Sequence, residues 1–110
     1  MAYQGLGEFE QLILLAIVHL GGETYGVPIA DEIERRTGRK VARAAVYVTL
    51  RRLEDKGLVS SRMGESTPER GGKGRRQVSL SAEGSRALLE ARKVSQEMWR
   101  GVTPGVLRSR

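Results

Sequence analysis

Residues 42–57 read "ARAAVYVTLRRLEDKG". At about 100° per residue, Val46, Leu50, Leu53 and Gly57 fall in one narrow arc. The arc predicts a helix that turns this side to a core, with Gly57 also serving as its C-terminal stop. Ala44, Val48, Arg51, Arg52 and Asp55 point the other way, and Arg43, Tyr47 and Glu54 lie on the boundary. A face with small residues and several guanidinium groups calls for a partner outside the core.

Upstream, "YGVPIADEIERRTG" (25–38) predicts a second helix. Pro28 suits a first turn, where its missing N–H is no loss. Asp31 and Glu32 are placed near the positive helix end, and Arg35 and Arg36 near the negative one. Ile29, Ala30 and Ile33 form the buried stripe, and Gly38 ends the helix. Before it, "GEFEQLILLAIVHL" (7–20) predicts a first helix, broken by "GGET". From Leu12 to Val18 this helix is apolar on every side. A small domain covers only one face of such a helix, so the excess predicts a second burial surface, a partner subunit meeting Leu12 and Leu15.

Downstream, "LVSSRM" and "RRQVSLS" predict two short strands around a Gly/Pro/Ser/Glu-rich loop. Ser81 is placed as the cap of a fourth helix over residues 82–102. Its stripe is Ala87, Leu88, Ala91, Val94, Ser95, Met98, Trp99 and Val102. Some 20 residues make a rod of about 30 Å, too long to pack wholly on its own domain. Val94, Met98 and Trp99 are therefore expected at the dimer interface. "TPGVLRSR" is expected to be a frayed basic tail.

A length of 110 residues fits one domain with an appendage. Hydrophobic residues at 39% and charged residues at 29% suit a soluble globular chain. Nineteen Lys+Arg against thirteen Asp+Glu give a net +6, which suits an anionic partner. The absence of cysteine excludes disulfides and thiolate metal sites, and the single His19 makes a poor start for zinc. His19 is expected as a partly buried or helix-end residue. There is no visible signal peptide, and "LILLAIV" is far shorter than the ~20 residues of a membrane span, so a cytoplasmic protein with no membrane partner is expected. No Ser–His–Asp set or metal cluster is visible, and "GGKG" lies in the hairpin rather than between strand and helix. Neither an enzyme nor a cofactor is expected.

Helix, helix, helix, hairpin, helix is the order of a winged helix-turn-helix. The fold expected is mainly α with a small β-hairpin: a winged helix-turn-helix over residues 1–81 and a C-terminal dimerisation helix and tail over 82–110. In that fold the third helix enters the DNA major groove, which admits one helix. Ala44 and Ala45 allow close approach. Arg43, Arg51 and Arg52 offer forked donors for phosphate or guanine. Val48 fits either an ordinary surface valine or a contact to a thymine methyl. Tyr47 fits either a phosphate contact or packing at the seam of helices two and three. Lys73, Arg75 and Arg76, with Arg70 nearby, suit phosphate or minor-groove contact by the wing, although Glu65 and Glu69 dilute the charge. A winged-helix module that binds a protein partner or RNA is the alternative.

The sequence resembles the PadR family of bacterial transcriptional regulators. The likeness rests on "LGEFEQLILLAI", "YGVPIADEIERRTG", "AVYVTLRRLEDKGLV" and "GRRQVSLSAEG", the third being the most specific. It covers roughly residues 6–81, and the single C-terminal helix resembles the small subfamily. The resemblance implies a homodimeric repressor on a palindromic operator, joined through helix four packed on helix one of the partner. Carried over by residue, it implies DNA contacts from Arg43, Tyr47, Arg51 and Arg52, and from Lys73, Arg75 and Arg76 on the wing. Some members bind flat aromatic compounds between subunits, which would make Trp99 either a stacking surface for such an effector or a plain interface anchor. The pattern departs in three places. Ala42 stands where serine often caps the third helix, at a cost of about 1 kcal/mol unless another group substitutes. Gln77 and Val78 replace aromatics after the basic pair, and Tyr25–Gly26 replaces a glycine–tyrosine pair.

Overall fold

The computed structural model describes residues 5–64 and 76–109. The elements are α1 (Glu8–His19), β1 (Glu23–Thr24), α2 (Gly26–Thr37), α3 (Arg43–Asp55), β2 (Val59–Met63), β3 (Arg76–Leu80), α4 (Ala82–Trp99) and α5 (Pro104–Arg108). β2 and β3 pair antiparallel from Val59↔Leu80 to Met63↔Arg76. The expected hairpin is therefore present, and β1 widens it to a three-stranded sheet of order β1-β3-β2.

The core lies where α1, α2 and α3 meet the sheet. Ile13, Leu14 and Ile17 of α1, Ile29 of α2, Val46 and Leu53 of α3, and Val78 of β3 are fully buried. The α3 arc is thus as expected, with Thr49 buried as well. Gly57 is a correction. It is exposed and lies beyond the helix, at φ 77°, a left-handed position that favours glycine. It stops α3 but is not part of the core.

Two other local expectations fail, and one element is added. α2 starts at Gly26, so Asp31 and Glu32 sit in mid-helix and no acid lies in its first turn. "GGET" breaks the first helix as expected, and its last two residues also form β1, which pairs Glu23↔Ser79 and Thr24↔Val78. The tail is a helix, α5, whose first turn is capped by the Thr103 hydroxyl accepting from Val106 N at 3.1 Å, with Pro104 in that turn.

α4 is joined firmly to the domain at its start. The Ser81 hydroxyl accepts from Gly84 N at 2.9 Å and donates to Gly57 O at 2.8 Å. Ser81 N donates to Leu58 O at 3.1 Å. A Cβ on buried Gly84 would stand 2.2 Å from Leu58 O, so the helix can lie this close only with glycine there. Ala91 is the last buried residue of α4, and every residue from Arg92 to Trp99 is exposed. The rod projects. The radius of gyration is 16.4 Å, against about 13 Å for a compact chain of this length.

Candidate nucleic-acid interface

The face of α3 turned away from the core is open to solvent. Ala44, Ala45, Val48, Arg51, Arg52 and Asp55 are all exposed there. Val48, at 62% exposure, stands clear of the core at the middle of this face. Ala42 is the N-cap and its side chain cannot bond the free amides of the first turn, as the departure from serine implied. Arg39, Lys40 and Arg43 cluster around this end of α3 and are all exposed. Arg39 and Lys40 lie in the short connection between α2 and α3 and are not among the residues that the sequence singles out. The signal that could have found them is a basic pair placed just ahead of an uncapped helix.

The two flanks of α3 differ. On the side facing α1, Glu10 is buried at 6% exposure. Its carboxylate accepts from Lys56 Nζ at 2.8 Å, Arg52 Nε at 3.3 Å and Gly7 N at 2.9 Å. Burial raises the Glu10 pKa, but the Lys56 ammonium, the Gly7 amide and the Arg52 guanidinium reverse this and hold it below the usual glutamate value. Arg52 therefore shares its charge with an acid from α1. Arg36 and Arg35 make the same kind of pairing with Glu32, whose pKa is lowered by those two guanidinium groups.

On the side facing the sheet, Tyr47, Arg51, Glu54 and Asp55 join Arg76 and Val78 around a cleft of about 520 Å³. Ser61 Oγ donates to Glu54 Oε2 at 2.8 Å, and Arg76 Nη1 reaches both Ser61 Oγ and Glu54. This network ties the β2–β3 hairpin to α3. It also places Arg76 beside α3. Lys73 and Arg75 lie outside the described residues. The Tyr47 ring rests on the start of α2, where Gly26 is buried beneath it. Tyr47 nonetheless remains half exposed. Of its two readings, seam packing is present, and the exposed edge leaves room for the other.

The second candidate surface lies on α1 and α4. Leu15, Val18, Leu89, Val94, Met98 and Trp99 are exposed apolar side chains, whereas Leu12 is partly covered by the core. Leu15 and Val18 line a groove of about 530 Å³ with Leu88 and Leu89 of α4. Among the described residues, no helix is long and apolar enough to cross a membrane.

Comparison with known proteins agrees with this geometry. The PadR family transcription regulator from Clostridium difficile R20291 is 26% identical, with a TM-score of 0.61 over 86% of this chain and 88% of that one. The PadR family transcriptional regulator from Eggerthella lenta DSM 2243 is 26% identical, with a TM-score of 0.67 over 86% and 82%. F93 from STIV, a winged-helix DNA-binding protein, shares the fold at 17% identity, with a TM-score of 0.59 over 86% and 90%. Among curated proteins none matches. The profile of the transcriptional regulator PadR-like family matches residues 14–90, from the middle of α1 to the first half of α4. The chain belongs to the PadR-like family of transcriptional regulators, winged-helix proteins that bind DNA and are not enzymes.

Proposed function

We propose that the protein is a homodimeric repressor that lays α3 of each subunit in successive major grooves of a palindromic operator. The observation that carries this reading is the open, cation-bearing face of α3, flanked by the β2–β3 hairpin. Ala44 and Val48 approach the base edges, and Val48 meets a thymine methyl. Arg51 reads guanine or phosphate, Arg43 holds a phosphate at the start of α3, and Tyr47 donates its hydroxyl to another. Arg52 serves at the rim, sharing its guanidinium with Glu10. Lys73, Arg75 and Arg76 hold the flanking backbone through the wing. Residues 1–81 form the reading unit, and 82–110 the dimerisation helix and its tail.

The bare second half of α4 supports the dimer: Val94, Met98 and Trp99 would cover Leu12 and Leu15 on the partner's α1. A flat aromatic effector stacked on Trp99 between subunits belongs to the same reading. Titration of planar compounds against tryptophan fluorescence tests it, and silence from a dimeric sample removes the effector.

The operator test is selection from a random duplex pool. A palindrome with half-sites about one helical turn apart is expected. Its affinity should fall with salt at a log–log slope of about −0.9 per phosphate contact. Equal affinity for single-stranded RNA and any duplex would instead favour an RNA-binding or protein-binding module.

A further inference from the structure

Gly26 opens α2 and is buried against α3. A Cβ built on it would stand 2.4 Å from Tyr47 Cε1, 2.9 Å from Cζ and 3.1 Å from the hydroxyl oxygen. Contacts below about 3 Å are repulsive, because heavy atoms in ordinary contact lie 3.5–4.0 Å apart. The ring is rigid and two torsions place it, so it cannot yield as a long flexible side chain can. Any residue larger than glycine at this position must therefore lift Tyr47 off the start of α2. Tyr47 is half exposed, so a lifted ring has solvent to move into and the core need not open.

We propose that Gly26 is a positioning residue for DNA binding: its missing side chain is the seat that holds the Tyr47 hydroxyl at the height of the DNA backbone. The inference rests on the reading that Tyr47 contacts a phosphate. It adds that the contact is set by a residue on another helix that never meets DNA. The seat also joins the two helices of the helix-turn-helix at the point where they face the duplex.

The experiment compares wild type, Gly26→Ala, Tyr47→Ala and the double variant. The probe is a mixed-sequence duplex of about 30 base pairs, long enough for two half-sites one turn apart. Loss of one hydrogen bond to a charged acceptor is expected to weaken binding about tenfold in Tyr47→Ala. Gly26→Ala should weaken it by a similar factor, and the double variant should be no worse than Tyr47→Ala alone. The salt slope should stay at the wild-type value in all four, because a neutral hydroxyl displaces no counterion. A Gly26→Ala protein that fails to fold, with a double variant that folds and binds like Tyr47→Ala, would also support the seat. Additive losses, or a Gly26→Ala protein that binds as wild type while Tyr47→Ala is weakened, would overturn it. A reduced salt slope in Gly26→Ala would show that α3 itself has shifted, and would overturn it as well. Wild-type binding by Tyr47→Ala removes the phosphate contact and, with it, the reading on which the seat depends.

Discussion

Two surfaces of the molecule are left open by the fold, and they differ in chemistry. Around α3 the exposed side chains are mostly small or charged, Ala44, Ala45, Arg43, Arg51, Arg52 and Asp55, with Val48 and the edge of Tyr47 among them. Along the second half of α4 they include Val94, Met98 and Trp99, the last two at 77% and 57% exposure. An apolar strip of this kind on a projecting rod suits the protein contact of the proposed dimer. A cationic face with little bulk suits a phosphate-lined groove. Exposure alone does not tell a reading surface from a joining surface; the atoms exposed do.

The strongest way to break the contrast is to charge the apolar strip. Val94→Asp with Met98→Asp should give folded monomers, because an interface cannot bury unpaired carboxylates. Binding to a duplex with two half-sites should fall by about 10²–10⁴-fold, since the second contact is no longer intramolecular. A double variant that light scattering finds dimeric would place the joint elsewhere.

Gly84→Ala attacks the other end of the same rod. Its new methyl group would meet a backbone carbonyl, which yields less than a side chain. The expected loss of stability is about 1–3 kcal/mol, read by thermal or urea unfolding. Unchanged stability would mean that the start of α4 is loosely held.

On the charged surface, Arg51→Ala should lower operator affinity by about 1–3 kcal/mol and relax base preference if it reads guanine. Arg52→Ala should cost less, because Glu10 already holds part of its guanidinium. Equal losses would show that Glu10 does not draw Arg52 from DNA, and no loss from either would take α3 out of the groove.

The smallest effect is one of pH. Glu10 has a lowered pKa in the folded chain. Such a group contributes stability that is complete above its unfolded value and fades as pH falls through the folded one. The melting temperature should therefore drop below about pH 4.5, and drop less steeply in Glu10→Gln. Parallel curves for the two proteins would remove Glu10 as a source of acid sensitivity.

What the sequence disclosed, and what it hid, follows the range of each interaction. Val46, Leu50 and Leu53 were legible because helical periodicity is local. Ser81 was legible because a cap acts within three residues. β1 was not, since two polar residues become a strand only by pairing with β3 far along the chain. Nor was the tie from Glu10 to Arg52 and Lys56, which spans 42 and 46 residues. α5 is a different case. Thr103 and Pro104 are a local start signal, and the basic end of the chain hid it. The open side of α3 was legible as a pattern, but the unequal availability of its arginines was not.

The bolt between Ser81 and the end of α3 has a geometric consequence. It sets the direction in which α4 leaves the reading unit, so in a pair joined through the rods the gap between the two reading helices becomes a length measured in protein. One residue inserted after Ala91 would advance the distal half by about 1.5 Å and swing it by about 100°. Such a chain would still fold and still carry its cations, yet its two halves would ask for a differently spaced operator.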